Sequence, residues 1–298
     1  MKILLFGKGG QVGWELQRSL AALGSVTMVG TDSQPLCGDF RELDGIAATV
    51  RAIAPDVIVN AAAYTAVDKA ESDADSCRQI NAAAPGVLAA EARRCGALLV
   101  HYSTDYVFDG SGTDPWREDN DTGPLSVYGA TKLQGEQLIQ ASGCPYLIFR
   151  TSWVYAARGG NFAKTMLRLA SEREQLSVVD DQIGAPTGAD LIADVTAHAI
   201  IATRRDPQLA GVYHLAASGH TSWHGYARFV LEVARQKGVA LKIHADAITA
   251  VDSTAFPAPA PRPKNSRFDT HKLQTAFSLL MPQWQSGVER MLTEIIER

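Results

Sequence analysis

Two hydrophobic periods alternate along the first half of the chain. Short apolar runs rich in β-branched residues fall at 3–6, 26–29, 57–59, 98–102 and 146–149, and each reads as a buried strand. Between them, 11–22, 42–53, 71–94 and 127–141 carry apolar residues at helical spacing and are long enough to cross over a sheet. Strands alternating with such helices predict an α/β fold, a doubly wound parallel sheet covered by helices. The second half is less regular, with helices predicted at 162–173, 190–203, 223–237 and 286–297 and strands at 176–179 and 212–215. This pattern predicts a smaller mixed α/β lobe interleaved with the sheet: 1–150 with about 187–217 in one domain, about 151–186 with 218–298 in the other. Residues 256–263 (Phe-Pro-Ala-Pro-Ala-Pro-Arg-Pro) can be neither helix interior nor central strand. With Arg262 and Asn265 at its end, this stretch reads as a binding loop.

Composition narrows the function classes. A chain of 298 residues, 46% hydrophobic and 20% charged, can bury a sizeable core. A net charge of -4 offers no basic excess for a nucleic-acid backbone. Cys37, Cys77, Cys95 and Cys144 are widely separated and form no C-x-x-C pair, which suits reduced thiols. The apolar start is too short for a signal sequence, and no run of about 18 apolar residues occurs, so a cytoplasmic protein with no membrane span is expected.

The first strand runs directly into Gly7-Lys8-Gly9-Gly10-Gln11-Val12-Gly13, which opens a helix. Glycines there permit a tight turn and close backbone approach to a pyrophosphate. The helix N-terminus adds free N–H donors and a positive dipole end. In this position the segment predicts a dinucleotide site of the Rossmann type, with Gly7, Gly10, Gln11, Val12 and Gly13 against the cofactor. Asp32 stands where an acid would bind the ribose 2′-hydroxyl, but Thr31 competes for that place and Lys8 or Arg41 could meet a 2′-phosphate. NADPH and NADH therefore both stand, NADPH ahead. Asp39 could accept from the adenine amino group with Phe40 as an apolar face; an ordinary turn and a core aromatic is the competing reading.

Tyr128 and Lys132 lie one helical turn apart, and Ser103-Thr104-Asp105 ends the fourth predicted strand, where open α/β sheets place ligands. Hydride delivery to a carbonyl creates an alkoxide that must be protonated. A tyrosine exchanges protons poorly near neutrality unless a cation stabilises its anion, the role open to Lys132. Thr104 would hold the carbonyl oxygen.

These motifs, with Asn60 to Asp68, Ser103 to Gly110, Arg150 to Tyr155, Asp181 to Thr187 and Arg262 to Ser266, are similar to those of the extended short-chain dehydrogenase/reductase superfamily. Within it the chain resembles the dTDP-4-dehydrorhamnose reductase family over essentially its whole length. That resemblance implies NAD(P)H-dependent reduction of the 4-keto group of dTDP-6-deoxy-L-lyxo-4-hexulose to dTDP-L-rhamnose. It implies Tyr128 as proton donor, Lys132 on the nicotinamide ribose, and Thr104, Asp105 and Trp153 at the sugar. It further implies Ala63, Tyr64 and Thr65 at the cofactor and Asn81 as an organiser of the site, although Asn81 could equally satisfy helix backbone. Homodimers and, for some members, a Mg2+ requirement belong to the same implication. No ligand cluster in the sequence places such a metal, and Glu15 is the one contributor named, its carboxylate already explained by the helix dipole.

Arg262, beside the rigid proline turn, could clamp a nucleotide diphosphate bidentately. His220 and His224 share helical spacing but have no third metal ligand. Glu289, Glu294 and Glu297 read as a solvated helix face, and Trp223, Trp284 and Phe277 as core. The rival functions are a nucleotide-sugar epimerase or 4,6-dehydratase on the same fold, and a regulatory subunit like the methionine adenosyltransferase beta subunit. Tyr106 after Thr104-Asp105 lacks the acid/base pair of a dehydratase. Thr104, Tyr128 and Lys132 together argue against a purely regulatory chain.

Overall fold

The computed structural model describes residues 1–297. Its central sheet contains β1 (Lys2–Phe6), β2 (Ser25–Val29), β3 (Val57–Asn60), β4 (Leu98–Thr104), β5 (Tyr146–Thr151) and β6 (Gly211–His214). All pairings are parallel, in the order β6-β5-β4-β3-β1-β2. The chain steps from β1 to β2 and then crosses to β3 on the other side. The crevice beyond the C-terminal ends of β1 and β3 is therefore the switch point of a doubly wound sheet, as the alternating pattern predicts.

Because successive strand residues face opposite sides, continuous apolar runs build two cores at once. Ile3, Leu5, Val57, Val59, Leu147 and Phe149 pack beneath α1 (Gln11–Ala21) and α5 (Ala189–Arg205) through Leu16, Leu20, Ile192 and Ile200. Leu4, Phe6, Ile58, Leu99 and Ile148 pack against α2 (Leu43–Ile53), α3 (Ala84–Cys95) and α4 (Val127–Ser142) through Ile46, Val50, Leu88 and Ile139. Each such side chain contributes roughly 1.5–3 kcal/mol.

A separate apolar cluster unites the helices Phe162–Glu172, Trp223–Gln236 and Trp284–Ile296 with the parallel strand pair Leu176–Val179 and Ile248–Val251. Leu273, Phe277 and Met281, assigned by sequence to this lobe, instead pack on the first core. The continuous helix expected over 71–94 is also broken, into Ala74–Arg78, a π-helical turn Gln79–Ala83 and α3. Pro85 in the first turn of α3 has no N–H to give the Asn81 carbonyl four residues back, and the wider turn accommodates this loss. No helix among the described residues is long and apolar enough to cross a membrane.

Candidate active site

The glycine segment forms a cradle at the switch point. Gly7 has φ +85°, and a Cβ on Gly13 would fall 2.0 Å from the Gly7 carbonyl oxygen, so α1 can sit against β1 only with glycine there. Gly10 caps α1 without any side-chain acceptor, and a Cβ at Gly9 would meet nothing within 4 Å. The first helical N–H groups of Gln11, Val12 and Gly13 thus start at an opening that no side chain among the described residues caps. Thr65 and Gln11 reach the cleft nearby. Tyr64 is fixed by Asn81, whose Oδ1 accepts its N–H at 2.9 Å and whose Nδ2 donates to its carbonyl at 3.0 Å. Asn81 accordingly organises the turn after β3 from inside the π-helical segment.

The adenine-side expectations change. Phe40 is only 3% exposed and packs against Phe6 at 5.5 Å between ring centroids, so it is a core aromatic rather than an open face. Asp39 is engaged bidentately by Arg41, with its shortest contact at 2.6 Å, and that guanidinium bond holds its carboxyl below the usual range. Lys8 pairs with Asp32 at 3.1 Å and donates to Ser33 Oγ at 3.1 Å. Lys8 and Arg41, the two basic side chains that could meet a 2′-phosphate, are therefore each tied to an acid.

At the ends of β4 and β5 the chemistry converges. Ser126 caps α4 by accepting from the Gly129 N–H at 3.2 Å. A Cβ on Gly129 would fall 2.2 Å from the Tyr106 carbonyl, so glycine lets the helix press onto the 105–107 turn. That contact sets Tyr128 and Thr104 on the same cleft wall, and desolvation keeps the phenol above its ordinary range. Thr104 donates to Asp105 Oδ1 at 3.0 Å, and Ser266 donates to Asp105 Oδ2 at 2.5 Å. Burial pushes the Asp105 carboxyl up to about 6 despite those two bonds. Lys132, 2% exposed, extends inward: its Nζ donates to the Tyr102 carbonyl at 2.6 Å and lies 3.2 Å from His101 Nε2.

Thr104, Asp105, Tyr128 and Ser266 open onto a cleft of about 760 Å³ between the sheet and the second lobe. Trp153, at φ +50°, lines it and stacks on Trp223, 3.6 Å between ring centroids. Trp223 is therefore part of the cleft wall, not core as the sequence suggested. Trp284 and Phe277 are core. The hydroxyls of Ser103, Thr151 and Ser152 are buried along the same wall without a partner. Phe256, Pro257 and Ala258 from the proline-rich segment also line the cleft, so that segment is a loop over the site. Arg262 reaches the cleft but is not free: its two terminal nitrogens hold Asp68 at 2.9 and 2.7 Å. Glu15 is remote from this chemistry. Burial first, then Asp190, raises its carboxyl, and no group of three or more metal-ligating side chains occurs among the described residues.

Thr151, Ser152, Ser266 and the buried pair Asn60 and His101 had no individual signal in the sequence. Their only common mark is position at or near strand ends and loop starts, which becomes meaningful once strand order is known.

A parallel switch-point sheet, an uncapped glycine cradle and a Tyr-Lys helix facing a strand-end threonine place the chain among the short-chain dehydrogenases/reductases. The chain belongs to the RmlD substrate binding domain family, whose model matches residues 1–296. It is 56% identical over 295 residues to a dTDP-4-dehydrorhamnose reductase of Shigella flexneri, covering 99% of this chain and 98% of that protein. A solved dTDP-4-dehydrorhamnose reductase from Clostridium acetobutylicum superposes with TM-score 0.90 at 33% identity, covering 100% of both chains. Another, from Bacillus anthracis in complex with NADP, gives TM-score 0.87 at 35% identity and covers 98% of this chain and 99% of that one.

Proposed function

We infer that this chain uses NAD(P)H, with NADPH preferred, to reduce the 4-keto group of a dTDP-linked 6-deoxy-4-hexulose, giving dTDP-L-rhamnose. The observation that carries the reading is the pairing of Thr104 and Tyr128 on the cleft wall beside the glycine cradle, with Lys132 buried one helical turn beyond Tyr128. The similarity to reductases along nearly the full chain supports it and disfavours both the epimerase and the regulatory alternative.

The residues fit a dinucleotide. Open space above Gly9 and an α1 N-terminus without a side-chain cap offer backbone donors to a pyrophosphate. Gly7, Gly10, Gln11, Val12 and Gly13 would hold it, with Ala63, Tyr64 and Thr65 beside the rest of the cofactor. When bound, NADPH supplies the hydride that reaches the carbonyl carbon. Thr104 then orients the carbonyl oxygen, and Tyr128 transfers its phenolic proton to the developing alkoxide. Lys132, as an ammonium, stabilises the tyrosinate left behind. In the cofactor-free protein the single hydroxyl proton of Thr104 is given to Asp105, so Thr104 would turn it from Asp105 to the carbonyl oxygen when the sugar binds. Trp153 with Trp223 would form an apolar wall for the sugar nucleotide, and the unpartnered hydroxyls of Ser103, Thr151 and Ser152 would meet its polar groups. Arg262 would reach the diphosphate only by exchanging its bonds to Asp68.

The same reading assigns 1–150 with about 187–217 to cofactor binding and about 151–186 with 218–298 to the substrate, apart from the 273–281 segment. It includes a cytoplasmic homodimer, supported by the family resemblance. The test follows absorbance of NADPH and of NADH separately with the dTDP-4-keto sugar. One cofactor oxidised per sugar is expected; turnover of the sugar without net oxidation would overturn the assignment.

A further inference from the structure

Lys132 occupies the place where the proposed proton transfer needs a cation, yet its surroundings are arranged for an amine. Asn60 Oδ1 accepts the Ala62 N–H at 3.0 Å, which turns its Nδ2 toward His101 Nδ1, 2.9 Å distant. An amide nitrogen only donates, so Nδ1 must accept, and the proton of the neutral imidazole sits on Nε2. Rotating the Asn60 amide to reverse this would set its NH2 group against the Ala62 N–H.

The Nε2–H therefore faces Lys132 Nζ at 3.2 Å, while Nζ itself donates to the Tyr102 carbonyl. An ammonium has no lone pair to offer that Nε2–H, whereas a neutral amine has one. Asn60, His101 and Lys132 are 1%, 1% and 2% exposed, so water does not reach the contact from outside. All of these groups are satisfied together only when Lys132 is uncharged. His101 does not relieve the conflict by charging, because burial, and after it the neighbouring lysine, holds its pKa well below the ordinary value.

The other ionisable groups acting on Lys132 come from two elements. Glu136, on its own helix, favours the ammonium, but Arg150 from β5 already binds both carboxylate oxygens at 2.7–3.2 Å. Cys77, on the helix Ala74–Arg78, favours it too, but its thiol is buried and bonded to Thr131. Burial outweighs both and pushes Lys132 down to about 8.

We propose that His101, oriented by Asn60, is a positioning residue that holds Lys132 retracted as a neutral amine in the cofactor-free protein, and that NADPH binding draws Lys132 toward the cleft with uptake of one proton from solvent. NADPH brings hydroxyl acceptors and anionic phosphates, both of which favour the charged form. The cation that Tyr128 needs would thus be created by cofactor binding. This inference rests on the NADPH reading above.

Titration calorimetry of the full chain with NADPH at pH 8, in phosphate and in Tris, counts the protons exchanged. With Lys132 near 8, about half a proton or more should be taken up per NADPH; the cofactor's own phosphate, ionising near 6, is silent at that pH. His101→Asn keeps an acceptor for Asn60 but removes the Nε2–H, and uptake should fall to less than half the wild-type value. His101→Gln returns an N–H donor near the Nε2 position and should restore it. A histidine that only packs would leave the count unchanged. NADPH binding by the wild type without proton uptake overturns the proposal, as does unchanged uptake in a folded His101→Asn variant. The wild-type count decides even where a variant fails to fold. Failure of the wild type to bind NADPH at all would instead overturn the functional reading.

Discussion

A methyl group at Gly13 would fall 2.0 Å from the Gly7 carbonyl oxygen, whereas carbon and oxygen rest about 3.3 Å apart. In Gly13→Ala the missing ~1.3 Å must come from α1 moving off β1. Leu16 and Leu20 anchor that helix in the core and resist the shift. Overpacking of this kind costs roughly 1–3 kcal/mol, or about 2–6 °C in Tm for a chain of this size. The displaced helix also carries the backbone donors of the cradle. Losing one charge-assisted hydrogen bond to the pyrophosphate, worth roughly 1.5–3 kcal/mol, would raise the NADPH Kd about 10- to 150-fold. Thermal melting and a fluorescence titration with NADPH read the two effects separately. Gly9→Ala is the internal control for stability, since its methyl meets nothing within 4 Å in the protein and Tm should move by less than about 1 °C. A Gly13→Ala protein with wild-type Tm and a Kd within about threefold would refute the steric account of the cradle.

Tyr128→Phe deletes the phenolic proton and should lower kcat by roughly 10²- to 10⁴-fold while the NADPH Kd stays within about threefold. Undiminished single-turnover reduction would remove Tyr128 from its role. Asp105 tests the electrostatics through pH. Its folded pKa, about 6, is raised above the ordinary value, so its contribution to stability is complete below about pH 4 and is lost as pH rises through 6. Relative to Asp105→Asn, wild-type unfolding free energy should therefore decline by roughly 3 kcal/mol between pH 4 and 7 in urea titrations. A flat difference across that window would show that burial does not penalise the charged form.

The sheet was legible because its strands are continuous apolar runs that only a doubly covered parallel sheet can bury, and the cradle because its glycines sit directly between strand and helix. The Tyr128 and Lys132 spacing follows from helical geometry alone. What stayed hidden depends on contacts between distant segments. Trp223 reads as a core aromatic until Trp153, 70 residues earlier, is found stacked on it. Phe40 reads equally as ligand platform or core, and only the position of Phe6 decides between them. Arg262 looks like a free guanidinium because Asp68 lies almost 200 residues away in sequence. The break near Asn81 shows only Pro85 as a local sign, since helix periodicity does not distinguish a π-helical turn from a regular one.

The Asn60 and His101 pair also bears on how the sheet assembles. These two polar side chains stand opposite one another in the β3 and β4 register, among neighbours that are almost all apolar. Sliding β4 by one residue would set Asn60 against Val100 or Tyr102 and turn His101 to the other face. Both polar groups would then be buried without partners, at roughly 1–3 kcal/mol each. Apolar residues alone would tolerate several alignments of these strands. A single hydrogen bond between two side chains thus acts as an alignment mark, favouring the one pairing in which Val57 to Asn60 lie level with Leu98 to His101.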